Sequence, residues 1–133
     1  MKRVTQEMLK IYKPLSGMDW MNYRLVKKEA TFHHIVKKEF GGKETIENGC
    51  ILMPIAHQYL HLIECKSPTH YQLLTKMFQL INSQKSEPTV EQREVIETIL
   101  RDFEYIHRND KNAKGKSMIK YTYKKREDIW RRY

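Results

Sequence analysis

The sequence predicts an α+β fold: a β-hairpin and the helix that follows it, packed against a helical hairpin, with a basic C-terminal extension. Three observations carry this. Two short runs of strand-forming residues, Thr31 to Val36 and Gly49 to Met53, flank the pair Gly41-Gly42. Several other segments place apolar residues at the spacing of a helix. Basic residues crowd into the last part of the chain.

Residues 4–13 carry Val4, Met8, Leu9 and Tyr12 at helical spacing, and Pro14 and Gly17 end that helix. The stretch from Met18 to Ala30 is aromatic and then basic without a clean period; it reads as irregular, with a short strand near Tyr23–Val26. The hairpin follows. Pro54 suits the first position of a helix, where its missing N–H costs nothing. On that helix Ile55, Tyr59, Leu62 and Ile63 fall within about 100° of arc, while His57 and His61 lie on the other side, about 40° apart. Ser67-Pro68-Thr69 restarts the chain, and Tyr71, Leu74, Met77, Phe78 and Ile81 form the stripe of the next helix. Asn82 to Glu87 reads as a loop, and Pro88 opens a last helix with the stripe Ile96, Ile99, Leu100, Phe103 and Ile106. Together these two make an antiparallel helical hairpin over residues 68–108. Residues 1–110 are expected to form one domain and residues 111–133 a basic arm.

The chain has 133 residues, 40% hydrophobic and 31% charged, with a mean hydropathy of −0.74. That composition suits a protein with a modest core. No apolar run reaches the roughly 18 residues that span a bilayer, and the first residues lack a signal-peptide core, so no membrane partner and a cytoplasmic location are expected. Cys50 and Cys65 form no metal-binding pair and read as small buried apolar residues. Of the formal charge of +9, a surplus of seven lies in residues 111–133, where nine lysines and arginines face only Glu127 and Asp128. Such asymmetry points to a polyanion, nucleic acid ahead of an anionic membrane surface.

Four of the six histidines stand in two pairs, His33-His34 and His57-xxx-His61, around Glu47-Asn48-Gly49. Imidazole serves both as a proton acceptor near neutral pH and as a ligand for borderline divalent metals. Neighbours in a strand face opposite ways, so His33 and His34 cannot share one task. His57 and His61, four apart on a helix, present both rings on one face, as a metal requires.

The run from Phe32-His33-His34 through Gly41-Gly42, then Glu47-Asn48-Gly49 and Met53-Pro54 to His57 and His61, resembles the motif of the HNH endonucleases. The similarity spans roughly residues 31–64. It implies a ββα-metal (His-Me) finger and a metal-dependent DNA endonuclease that hydrolyses phosphodiester bonds, leaving 5′-phosphate and 3′-hydroxyl ends. By the same resemblance, His33, His57 and His61 hold one divalent ion (Mg, Mn, Ni or Zn). His34 is the general base that takes a proton from water. Asn48 holds the loop and orients that base; in some relatives the asparagine meets the metal instead. Many members carry cysteine pairs that bind a second, structural zinc. Met53-Pro54-Ile55-Ala56 stands where one such pair would fall, so a single metal is expected. Nucleases of this type often travel on phages and mobile elements.

Three other outcomes share these residues: a nucleic-acid-binding protein that keeps the finger without cutting, a finger that holds zinc for structure only, and an RNA nuclease. A closed structural zinc site favours four protein ligands, mostly thiolates, and has no use for a base beside its ligand. Lys37, Lys38 and Lys43 near the hairpin are placed to meet phosphates, with a solvated loop face as the plain alternative. In the C-terminal segment Tyr121, Tyr123, Trp130 and Tyr133 are interleaved with lysines and arginines, Lys120, Lys124, Lys125 and Arg126 among them, as phosphate neutralisation and base stacking need. A strand docked on the domain with a basic outer face would give the same pattern. His70 and His107 read as structural or exposed.

Overall fold

A computed structural model describes residues 1–119 and Arg126. It is a mixed α+β structure. Among the described residues there are four α-helices, α1 (Arg3–Tyr12), α2 (Pro54–Lys66), α3 (Pro68–Gln84) and α4 (Val90–Ile106), and two strands, β1 (Thr31–His34) and β2 (Gly49–Leu52). No helix among these residues is long and apolar enough to cross a membrane.

The strands pair antiparallel, with Thr31 opposite Leu52, His33 opposite Cys50 and His34 opposite Gly49. Helix α1 lies against this hairpin at Met8, while Tyr12 packs on Trp20 and donates its hydroxyl to the Asn82 carbonyl; the helix ends where Lys13 turns left-handed before Pro14. Gly49 makes the approach possible: a Cβ there would lie 2.4 Å from Met8 Sδ and 2.6 Å from the Phe32 ring.

The expected strand near Tyr23–Val26 does not form; that stretch holds one isolated bridge, Met18 with Arg24, and a short 3₁₀ turn, Lys27–Glu29. It packs tightly all the same, because Met18, Trp20, Met21 and Tyr23 are buried. A buried carboxylate replaces the missing ladder. Asp19 accepts hydrogen bonds from the backbone N–H of Met21 (2.8 Å), Tyr23 (2.9 Å) and Met53 (2.9 Å). Met53 caps α2, so Asp19 also fixes where that helix begins.

Pro54 occupies the first turn of α2 as expected. The face that α2 buries is Ala56, Tyr59, Leu60 and Ile63, with Ile55 and Leu62 only partly covered. His57 therefore sits at the edge of the buried face rather than across from it. Cys50, on β2, is buried; Cys65, on α2, is exposed, against expectation.

Helices α3 and α4 are antiparallel: the start of α3 meets the end of α4 (His70 with Asp102), and its end meets the start of α4 (Gln84 with Gln92). Two boundaries differ from expectation. Asn82 lies inside α3 and is buried, because its amide donates to the carbonyls of Ile46 (2.7 Å) and Gly49 (2.8 Å). Helix α4 starts after Pro88, with Thr89 and Gln92 forming a reciprocal capping box. The apolar stripe of α4 also falls short. Ile106 is exposed, while Arg93, Glu97 and Glu104 are buried.

Those buried carboxylates receive Arg126. Its side chain is 0% exposed, with Nε 2.9 Å from Glu97 and Nη2 2.6 Å from Glu104; Tyr59 donates its hydroxyl to the same Glu104 carboxylate at 2.8 Å. Arg126 was expected to meet phosphate, and this is a correction: its guanidinium is consumed by two carboxylates inside the protein. Ile119 is buried as well, so two described residues of the basic segment belong to the interior. Lys120, Lys124 and Lys125 lie outside the described residues.

Candidate metal centre

Strand β1 divides its two histidines. His33 turns to the inner side, its ring 5.2 Å from that of His57 and 6.1 Å from that of Phe78. His34 turns to the other side and meets Phe32 edge-on at 4.8 Å. The strand stops at His34, and one surface groove of about 400 Å³ still reaches both rings. His33, His34, Lys37, Lys38, His57, His61 and Glu64 line it, with Glu39 and Tyr71 at its margin.

His33 is 5% exposed. Burial, helped by the neighbouring His57 and His61, holds its imidazole down to about 3, so it is neutral near pH 7. Burial also lowers His57 and His34; Glu44 opposes the shift at His34. Neutral imidazole is the form that binds a metal or accepts a proton.

Thr31 orients His57. The Thr31 hydroxyl donates to the Leu52 carbonyl at 2.6 Å, so towards His57 Nδ1, 3.3 Å away, it can only accept. Nδ1 of His57 then carries the proton and Nε2 keeps its lone pair. That Nε2 lies 3.4 Å from Nδ1 of His33. Two ligands of a tetrahedral ion with bonds of ~2.0–2.1 Å are separated by about this distance. His61 is stacked on His57, ring centres 5.0 Å apart, but its side chain is 63% exposed and leans to Glu64 at 3.9 Å. Among the described residues no three donors converge on one point as the side chains stand. The second ring nitrogen of His33 and Nε2 of His34 are buried without a hydrogen-bond partner among the described residues.

Asn48 closes the loop that joins the strands. Its Oδ1 accepts the Val36 N–H at 2.7 Å, and its Nδ2 donates to the carbonyls of Val36 and Lys43, each at 3.0 Å. These bonds hold the backbone two residues past His34; none of them reaches the His34 ring. Gly42 lies under the same clamp: a Cβ there would fall 1.7 Å from the Val36 carbonyl oxygen.

Of the loop lysines, Lys38 faces the groove and Lys43 is exposed on the loop. Lys37 forms a close ion pair with Glu64 and lies 5.8 Å over the Tyr71 ring. His70 bonds Ser67 and Asp102 at the α3–α4 junction, and His107 bonds Asp110. Both are structural, as expected. Thr31 and Glu64 were missed. Glu64 extends the His57, His61 spacing by one further turn, a pattern visible in the sequence; the role of Thr31 depends on a cross-strand contact and left no such signal.

The fold and the groove define an α+β domain in which a hairpin and the following helix bring four histidines to one surface groove. No family model, curated protein or solved structure matches the chain.

Proposed function

We propose that the protein is a single-metal DNA endonuclease of the HNH type, and that β1, β2 and α2 are its ββα-metal finger. The observation that carries this reading is the 3.4 Å separation of His33 Nδ1 and His57 Nε2, with His34 and His61 opening on the same groove. The donor set fits a borderline divalent ion: three imidazoles and no thiolate, which leaves positions open for water and phosphate.

His33 and His57 would hold the ion, and His61 completes the set by rotating inward, which its exposure allows. A divalent ion there supplies positive charge for the phosphoryl oxygens and the leaving 3′ oxygen. The protein's own residues do the rest. Burial favours the neutral form of His34, and its Nε2 is buried without a hydrogen-bond partner among the described residues; to act as base that nitrogen would have to open to water in the groove. Asn48 is a positioning residue that sets the backbone after His34. Lys38 and Lys43 offer charge to the strand's phosphates. Incubation of supercoiled plasmid with Mg²⁺, Mn²⁺, Ni²⁺ or Zn²⁺, and with EDTA, tests the reading; cutting with at least one metal and none with EDTA is expected. The second reading, a finger that binds nucleic acid without cutting, draws on the outward stance of His61, and binding without cutting under every metal would favour it.

A further inference from the structure

A second pocket, about 390 Å³, adjoins the histidine groove and shares Lys37, Glu64 and Tyr71 with it. Ile35, Val36, Phe40 and Pro68 give it apolar walls, and Gln72 sits at its rim. Phe40 is 74% exposed and Val36 43%. Phe40 is not on a slack loop. It ends a 3₁₀ turn, Lys38–Phe40, whose N–H groups return to Lys37 and Lys38, and Gly41 closes the turn in the left-handed region at φ 87°. The same segment is clamped to Asn48 through Val36. An aromatic ring is thus presented to solvent by a hydrogen-bonded turn, beside a second aromatic and a side-chain amide; Lys37, paired with Glu64, shares the pocket, and Lys38 lines the adjoining groove.

Ring faces with a hydrogen-bonding edge suit an unstacked nucleobase, and flanking cations suit the phosphates joined to it. A base inside a perfect duplex has its faces covered and cannot enter. We propose that the Phe40–Tyr71 pocket receives one unpaired base of the strand whose phosphate meets the histidine groove, so that the preferred substrate is single-stranded or locally unpaired nucleic acid. The strand's identity rests on the nuclease reading above; the pocket's occupancy does not require cutting.

The test uses the full chain, in EDTA, with a fluorescein-labelled single strand and a fully paired duplex of the same sequence, read by anisotropy. The wild type should favour the single strand. Phe40→Ala should weaken single-strand binding by roughly tenfold or more and duplex binding by less than about twofold. Phe40→Trp should retain binding, and the single strand should quench its added indole emission. Equal losses on both probes, no loss on either, or a wild type that binds neither would overturn the proposal. Plasmid cutting that requires His34 but not Phe40 would leave the nuclease reading standing and remove this pocket from it.

Discussion

His33 on strand β1 and His57 on helix α2 bring Nδ1 and Nε2 to 3.4 Å, across twenty-four residues of sequence. Hairpin register places the first ring and the Asp19-anchored start of α2 places the second. Thr31 fixes the second ring's tautomer.

Thr31 gives the first prediction. Replacing Thr31 with Val keeps the volume and removes the acceptor for His57 Nδ1–H. Metal affinity, measured by competition with a chromophoric chelator, should fall ~10–100-fold, the usual effect of losing such an outer partner. The circular dichroism spectrum should not change. Unaltered affinity would mean that Thr31 does not set the ligand.

Arg126 supplies a second. Arg126→Ala leaves Glu97 and Glu104 buried without their cation, and the cost should be about 3–5 kcal/mol in denaturant unfolding. A variant as stable as the wild type, with weaker DNA binding, would restore the phosphate-binding role first expected for this residue.

The loop clamp gives a third. In Gly42→Ala the new methyl collides with the Val36 carbonyl, so the backbone after His34 must move. A displacement near 1 Å at the proposed base should lower the cutting rate on the order of 100-fold. Thermal unfolding measured alongside separates this loss from a loss of fold, because Ile35 next to the clamp belongs to the buried core. Asn48→Ala should act in the same direction.

Protonation gives a fourth. Burial depresses His33 in the folded state to about 3, below its unfolded value of about 6.5. Its contribution to stability is then full above about pH 6.5 and is lost as pH falls towards 3. Between pH 7.5 and pH 5, in EDTA, this single group should remove about 2 kcal/mol. His33→Phe should flatten that slope. Because Asp19, raised to about 6 by burial, acts in the opposite sense over this range, the deciding comparison is between the two proteins, and identical slopes for wild type and His33→Phe would contradict the buried neutral ring.

Helix α1 was legible from its apolar period, and the hairpin and α2 from strand-forming runs and the proline and glycines at their boundaries, although the period of α2 pointed to Ile55 and Leu62 where Ala56 and Leu60 are the ones buried. The rest was hidden by polar side chains at work in the interior. Asn82 looks like loop chemistry until the carbonyls of Ile46 and Gly49 are seen beside it. The stripe of α4 is part apolar and part ionic, since Glu97 and Glu104 are matched by an arginine at position 126. An apolar count cannot find such a pair, and it left Arg126 reading as one more surface cation. The histidine groove was legible in residue type and spacing. Glu64, Thr31 and the outward stance of His61 depend on contacts across the fold.

In the proposed mechanism His34 takes the proton from the attacking water. The direct measurement is plasmid cutting by wild type and His34→Ala at matched metal occupancy and matched thermal stability. The wild type should cut and the variant should not, with both still binding the metal. Cutting at an undiminished rate by His34→Ala would contradict the mechanism.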